Sequence, residues 1–206
     1  MDQARRVMVQ EQLRNRGISD ERVLKAMGVI PRHQFVSADQ QDFAYEDGPL
    51  PIGEAQTISQ PYIVAYMTEV LQVQEEHTVL EIGTGSGYQA ALLSMLAARV
   101  ISLEIVVELG HAAAERLKKL GYTNVEVHVT DGKKGWPEQA PYDRILVTAA
   151  PRKVPEALIK QLNNTGRMVI PVGQNPFNQS LEIITKTESG DVEVEPSLPV
   201  RFVPLV

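Results

Sequence analysis

The chain carries the stretch Val79-Leu80-Glu81-Ile82-Gly83-Thr84-Gly85-Ser86-Gly87-Tyr88. This stretch predicts a buried strand over residues 79–82, then a glycine turn, then a helix that begins near Tyr88. Glycine permits a tight turn and lets a ligand approach the backbone closely. The first turn of a helix also offers N–H groups that have no partner within the helix. In open α/β sheets ligands bind at the carboxyl ends of the strands, so we expect a binding site at this turn.

Outward from the turn, short apolar runs alternate with helical stripes. The runs are nearly continuous in apolar residues, which is typical of strands buried on both faces. They cover Val79–Ile82, Val100–Leu103, Val125–Val129, Ile145–Val147 and Met168–Val172. The helical stripes between them are formed by Leu109, Ala113, Leu117 and Leu120 and by Val154, Leu158 and Leu162. This alternation of strands and helices predicts a parallel sheet with right-handed crossovers.

The two ends of the chain depart from this alternation. Residues 181–187 and 192–194 alternate apolar and polar side chains around a Ser-Gly turn, which predicts an antiparallel hairpin, and residues 200–203 are a further strand candidate. The first thirty residues predict two short helices, and residues 37–61 are rich in proline and glycine, which is typical of a binding loop or lid. The expected fold class is therefore α/β: a mostly parallel twisted sheet with an antiparallel C-terminal edge and an N-terminal helical extension.

We expect residues 1–206 to form one domain, in which 1–61 supply the extension and a loop over the site and 62–206 supply the core.

Composition limits the classes of function. There are no cysteines, which excludes disulfides, thiolate metal sites and cysteine nucleophiles. The four histidines lack metal-ligand spacing, so no metal is expected. The net charge of −6 argues against nonspecific nucleic-acid binding. No apolar run approaches eighteen residues and the N-terminus lacks an apolar signal core, so we expect neither a membrane partner nor export, and a cytoplasmic location.

Acidic side chains stand at the ends of three successive predicted strands. Glu81 precedes the turn, where it would repel a pyrophosphate and attract a cationic amino-acid group. Glu104 stands 21 residues after Gly83, where a carboxylate can accept hydrogen bonds from both ribose hydroxyls. Asp131 can accept from an adenine amino group, and the backbone of Gly132 can approach the ring edge. These positions fit S-adenosylmethionine. NAD and a neutral ligand remain alternatives, although the spacing G-x-G-x-G differs from the dinucleotide pattern.

Further motifs carry a resemblance to a known family. They are Met8-Val9, Gln12-Leu13, Arg16-Gly17-Ile18, Val29-Ile30-Pro31-Arg32-His33, Phe35-Val36, Pro51-Ile52-Gly53, Gln56–Pro61, Leu80–Gln89, Gly135-Trp136, Ala140–Asp143, Val147–Ala150, Met168–Gly173 and Val200–Leu205. With these motifs, over almost its whole length, the chain resembles the protein-L-isoaspartate (D-aspartate) O-methyltransferases. Many methyltransferases share the glycine turn, whereas Gln56–Pro61 and Val200–Leu205 are more specific to this family.

The resemblance implies a Rossmann-like enzyme that moves a methyl group from S-adenosylmethionine to the free α-carboxylate of L-isoaspartyl residues and leaves S-adenosylhomocysteine. It implies that Ser59 is the active-site residue. The implied cofactor-binding residues are Thr57, Ile58, Glu81, Gly83, Thr84, Gly85, Ser86, Gly87, Glu104, Asp131 and Gly132. The implied substrate-binding residues are Thr57, Ile58, Ser59, Val200, Arg201, Phe202 and Val203. The implied partners are isoaspartyl-containing peptides and unfolded or aged proteins, and a monomer is expected.

Two positions depart from the family. The family commonly has glycine where this chain has Thr130, and a β-branched residue rarely takes φ > 0, so the adenine loop is expected to differ. The family often has arginine where this chain has Ile105. Gly110 inside a predicted helix also costs about 1 kcal/mol relative to alanine. Two alternatives remain open: a methyltransferase of another acceptor, such as RNA or a small molecule, and a noncatalytic nucleoside-binding module.

Overall fold

The computed structural model describes residues 1–175 and 177–206. Its α-helices are α1 Asp2–Val7, α2 Glu21–Val29, α3 Pro61–Leu71, α4 Tyr88–Ser94, α5 Val107–Lys119 and α6 Glu156–Gln161. A π-helix, Met8–Leu13, continues α1, and 3-10 helices cover Arg14–Arg16, Arg32–Phe35, Ala38–Phe43, Gly132–Lys134 and Pro137–Gln139. The strands are β1 Leu50–Gly53, β2 Gln56–Ile58, β3 Thr78–Ile82, β4 Arg99–Glu104, β5 Val125–Val129, β6 Tyr142–Val147, β7 Leu162–Asn175, β8 Asn178–Lys186 and β9 Val192–Val200.

One sheet contains seven of these strands in the order β5-β4-β3-β6-β7-β8-β9. Strands β3 to β7 pair in parallel with one another, whereas β8 pairs antiparallel with both β7 and the edge strand β9. The predicted parallel sheet with an antiparallel C-terminal hairpin is confirmed. After β3 the chain builds β4 and β5 on one side and then returns to β6 on the other. The end of β3 is therefore the switch point at which ligands bind in such sheets.

Apolar side chains pack on both faces of the sheet. Neighbouring residues of a strand point to opposite faces, and Val79 and Leu80 of β3 belong to two different buried clusters. The first cluster includes Leu13 and Met27 from the N-terminal helices, together with residues of α3 and α4. The second includes Leu158 of α6. The N-terminal helices thus cover the sheet beside the glycine turn. Within the described residues, no helix is both long and apolar enough to cross a membrane.

Four parts of the sequence-based prediction differ from the structure, and the first three concern the bounds of helices and strands. Residues 37–61, which were expected to form a loop, hold a 3-10 helix and the antiparallel pair β1 and β2. Leu162 belongs to β7 and pairs with Tyr142, since α6 ends one residue earlier. Residues 201–203 form no strand of their own. The side chain of Gln179 instead accepts from the Phe202 amide at 2.6 Å and donates to its carbonyl at 3.1 Å, which replaces a strand partner.

Strand β5 is a further difference. It lies at the edge of the sheet, and its residues are half-buried or, at Val129, exposed. The expectation that this run is buried on both faces is therefore wrong.

Candidate active site

The glycine turn lies at the switch point and is held by the end of β6. Gly83 has φ +94°, and a Cβ added to it would lie 2.3 Å from Oγ1 of Thr148. The single proton of that hydroxyl can be donated to the Gly83 carbonyl at 2.7 Å or to the Ile82 carbonyl at 3.0 Å. Both the backbone torsion and the close contact require glycine here. Thr148 was not among the predicted site residues, although its position directly after a parallel strand could have indicated it.

The other two glycines of the turn have different surroundings. Gly85 lines the cleft, and its N–H donates to Oε2 of Glu104 at 2.7 Å. Gly87 has φ +87° and does not line the cleft, and a Cβ there would lie 3.3 Å from the side chain of Leu117. Gly87 therefore lets α4 begin close to α5, and its part in the site is to shape the turn.

Glu104 joins the turn to the start of α5. Its Oε1 accepts from the amides of Ile105 at 2.9 Å and Val106 at 3.0 Å, while its Oε2 accepts from Gly85. The carboxylate is buried yet lines the cleft. A carboxylate has about four acceptor positions, and three are used here, so about one remains for a ribose hydroxyl. The structure thus places Glu104 on the wall of the cleft, beside the glycine turn.

Glu81 lies behind the wall of the cleft. Its side chain is 0% exposed. Ser102 Oγ donates to its Oε2, and Ser102 in turn contacts Thr84 Oγ1, which lines the cleft, at 2.6 Å. Burial, aided by the nearby Glu104 and opposed by the Ser102 hydrogen bond, raises the pKa of Glu81 to about 8. Its Oε1 has no hydrogen-bond partner among the residues described. Because burial disfavours the charged form, the carboxyl of Glu81 is mostly protonated at pH 7.

At the far end of the cleft, Gly132 lines the wall, and a Cβ there would lie 2.4 Å from Cγ2 of Ile82. Asp131 does not line the cleft in this structure, because its Oδ1 accepts from the Lys133 amide at 3.0 Å. Thr130 does not adopt positive φ, and its amide donates to the Glu104 carbonyl at 2.8 Å. Threonine therefore fits this loop without backbone strain, contrary to the expected difficulty.

Ile105 and Gly110 explain the apolar start of α5. Ile105 lines the cleft and is half exposed. A Cβ at Gly110 would lie 2.8 Å from Val129 and 3.4 Å from Cβ of Glu104. The helix glycine therefore lets α5 approach the ends of β4 and β5, which offsets its expected cost in helix stability.

The segment Thr57-Ile58-Ser59 closes the cleft from the opposite side. The cleft has an empty volume of about 960 Å³, its open mouth included. A second cavity adjoins it and is lined by Val200, Arg201 and Phe177. The two cavities share five lining residues, which are Thr57, Ser59, Thr148, Phe202 and Val203. Ser59 therefore stands on the wall common to both cavities.

The structure brings together most of the predicted site residues. The predicted site residues that line the cleft are Thr57, Ile58, Ser59, Gly83, Thr84, Gly85, Ser86, Glu104, Gly132, Phe202 and Val203. Val200 and Arg201 line only the second cavity, while Glu81, Gly87 and Asp131 lie outside both linings. Among the residues described, no group of three or more histidine, aspartate or glutamate side chains could hold a metal ion.

The fold and the cleft define the class of protein. A mostly parallel sheet carries a glycine turn at its switch point, and the next strand ends in a buried carboxylate that faces the cleft. This is the arrangement of the Rossmann-like S-adenosylmethionine-dependent methyltransferases.

Comparison with known proteins gives the family. The family model described as protein-L-isoaspartate (D-aspartate) O-methyltransferase matches residues 4–206. A protein-L-isoaspartate O-methyltransferase of Synechococcus sp. (strain JA-2-3B'a(2-13)) is 56% identical over 98% of this chain and 85% of its own length. A relative of the same name from Gloeobacter violaceus is 52% identical and covers 96% of both chains. The chain therefore belongs to the protein-L-isoaspartate (D-aspartate) O-methyltransferase family, as its resemblance predicted.

Solved structures agree with this assignment. A protein-L-isoaspartate O-methyltransferase superposes with a TM-score of 0.88 at 30% identity, over 97% of this chain and 65% of the longer relative. A Plasmodium falciparum protein described by the same activity, in complex with S-adenosyl-L-homocysteine, superposes with a TM-score of 0.83 at 24% identity over 98% of both chains. At that identity the second likeness is one of fold. The predicted fold class is confirmed.

Proposed function

We propose that this chain methylates the free α-carboxylate of L-isoaspartyl residues, with Ser59 as the residue that orients that carboxylate. The observation that carries the proposal is the position of Ser59 on the wall shared by the two cavities. One cavity contains the glycine turn and Glu104, and the other opens beside Arg201. A group in the second cavity can therefore meet a cofactor in the first at Ser59.

The residues of the first cavity fit S-adenosylmethionine. When bound, this cofactor supplies an electrophilic methyl group on a sulfonium. Glu104 would accept a hydrogen bond from a ribose hydroxyl, and Gly83, Gly85 and Gly132 let the ligand approach the backbone. Asp131 would accept from the adenine amino group with the oxygen that the Lys133 amide leaves open. Thr84 and Ser86 line the same wall, and Glu81 would meet the cationic amino-acid group through the Ser102 and Thr84 hydroxyls.

The reaction needs orientation rather than proton transfer. The substrate carboxylate is ionised at pH 7, since its reference pKa is about 4. As its oxygen bonds to the methyl carbon, the carbon–sulfur bond breaks and its electron pair stays on sulfur, so no proton has to be moved. Positioning of two bound reactants can lower a barrier by up to about 7–11 kcal/mol. Thr57, Ile58 and Ser59 would provide this positioning and keep water from the carboxylate, with Val200, Arg201, Phe202 and Val203 holding the peptide.

The proposal extends to partners and organisation. Substrates are flexible isoaspartyl-containing peptides and unfolded or aged proteins, which suits a cavity that opens to solvent. Residues 1–206 act as one domain, because the first apolar cluster joins Leu13 and Met27 to Ala90 and Val100 of the core. A cytoplasmic monomer without a nucleic-acid or membrane partner completes the proposal. Light scattering would check the monomer, cell fractionation the location, and RNA offered as an alternative substrate the absence of a nucleic-acid partner.

A pair of peptides tests the activity. The two peptides are identical except that one carries L-isoaspartate and the other normal aspartate, and both are offered with labelled S-adenosylmethionine. Base-released methanol reports ester formation. We expect labelling of the isoaspartyl peptide alone. Labelling of bulk RNA alone, or of neither peptide while the cofactor still binds by calorimetry, would refute the proposed function.

The role of Ser59 is tested by Ser59→Ala. Loss of one hydrogen bond to a charged group predicts a fall in kcat/KM for the peptide of about tenfold to a hundredfold, with cofactor affinity nearly unchanged. Ser94→Ala is the matched control, because Ser94 Oγ donates to the Ala91 carbonyl at 2.8 Å within α4 and lines neither cavity. Equal activity of the two variants would remove Ser59 from the mechanism.

A further inference from the structure

Arg32 is a buried arginine that contacts the proposed active-site loop from behind. It lies in the 3-10 helix Arg32–Phe35, and it is 0% exposed. Its Nη2 donates to the main-chain carbonyl of Ser59 at 2.7 Å, and its Nε donates to the Ala44 carbonyl at 2.8 Å. Its guanidinium lies 4.8 Å from the ring centroid of Tyr88. Tyr88 and Ser59 both line the cofactor cleft, so Arg32 supports two of its walls.

The charge of Arg32 is not neutralised by a carboxylate. Other arginines of the chain, such as Arg14, Arg22 and Arg99, form ion pairs and are half exposed. Arg32 forms no ion pair with the residues described, and its Nη1 has no hydrogen-bond partner among them. Burial lowers the pKa of Arg32 from its ordinary value, but a guanidinium stays protonated in proteins.

A buried unpaired cation is costly for folding, because it loses its hydration without gaining a counter-charge. Neutral hydrogen-bonding groups could tie Ala44 to Ser59 at a smaller cost. The cost is understandable if the missing negative charge arrives with a ligand. The substrate of the proposed reaction is a carboxylate, and Ser59 is the residue at which that carboxylate would be held.

We propose that Arg32 is a positioning residue for the substrate carboxylate. It fixes Ser59 through the main-chain carbonyl and supplies, from behind the loop, a positive charge that favours binding of an anion over a neutral isostere. This inference rests on the proposed role of Ser59. The proposed role can be distinguished from a purely structural one, because a purely structural arginine would affect the binding of charged and neutral ligands equally.

The experiment compares how tightly the full chain binds two peptides. One is the isoaspartyl peptide, and the other is the same peptide with its α-carboxylate replaced by a carboxamide. The measured quantity is the ratio of the two dissociation constants, carboxamide over carboxylate. In Arg32→Met, loss of the nearby positive charge should lower this ratio by about tenfold. Arg32→Lys keeps the charge and should hold the ratio within about threefold of wild type.

Arg167→Met is the matched control, because Arg167 also donates to a main-chain carbonyl, that of Val70 at 3.0 Å, and lines neither cavity. Its ratio should equal that of wild type. A ratio unchanged in Arg32→Met would overturn the inference. If that variant fails to fold, Arg32→Gln decides, because glutamine keeps an N–H donor but has no charge, so the ratio should again fall about tenfold. An unchanged ratio in Arg32→Gln would overturn the inference. Wild type that methylates no isoaspartyl peptide would instead refute the proposed function itself.

Discussion

Replacement of Glu81 by glutamine should change how the stability of the protein depends on pH. The carboxyl is fully buried, and burial raises its pKa to about 8 in the folded chain, against about 4.3 for an unperturbed glutamate. At pH values between these two pKa values, the folded state holds a proton that the unfolded state has released. Stability then falls as pH rises, and this contribution is fully present only below the unfolded pKa.

The magnitude follows from the pKa difference. Each pH unit inside this window removes about 1.4 kcal/mol from the free energy of unfolding. From pH 5 to pH 7 the wild type should therefore lose about 3 kcal/mol relative to Glu81→Gln, which has no such proton. For a chain of this length the difference corresponds to a change in relative Tm of about 6–12 °C.

Thermal and urea unfolding of both proteins at pH 5, 6, 7 and 8, without cofactor, measure this difference. Glu75→Gln is the control, since Glu75 lies in an exposed turn. Infrared difference spectra should also show a protonated carboxyl band at pH 6.5 that Glu81→Gln lacks. A stability difference between Glu81→Gln and wild type that stays constant from pH 5 to pH 8 would refute the reasoning, because it would mean that Glu81 is ionised in the folded protein.

Further expectations concern the turn and its carboxylate. Gly83→Ala places a Cβ 2.3 Å from Thr148 Oγ1 at φ +94°. Denaturation should therefore show that the free energy of unfolding falls by about 3 kcal/mol, and calorimetry should show that the cofactor Kd rises at least about tenfold. Gly87→Ala meets Leu117 only at 3.3 Å and should cost about 1–2 kcal/mol with cofactor affinity retained; matching losses of affinity in both variants would contradict this. Glu104→Gln turns an NH2 group toward one of three amide donors. This should lower the free energy of unfolding by about 1–3 kcal/mol and weaken cofactor binding. Unchanged binding would show that Glu104 does not bind the ribose.

Much of the core could be predicted because it depends on local patterns. Val125–Val129 is a strand with the predicted bounds, and the helix after the glycine turn begins at Tyr88 as expected. Periodicity and glycine torsions are properties of neighbouring residues, so a single sequence displays them. The positions of Glu104 and Gly132 at the cleft follow, because the carboxyl ends of parallel strands meet at one edge of the sheet.

The errors arose where distant segments compete for the same residues. Leu162 fits the apolar stripe of α6, but it pairs with Tyr142 and so extends β7. Phe202 resembles a strand residue, but its backbone is satisfied by the side chain of Gln179. Neither outcome can be read from a local pattern, because each depends on which hydrogen-bond donor or acceptor lies nearby in space.

The sequence by itself determined the α/β alternation, the glycine turn, the acids at the strand ends and the family, because these depend on residue type and spacing. Only the tertiary structure decided that Ser59 lies between two cavities, that Glu81 is buried deeply enough to keep its proton, and that Arg32 reaches the Ser59 carbonyl. The physical reason is that burial and charge pairing are set by all the elements packed around a group, and most of these elements lie far away along the chain.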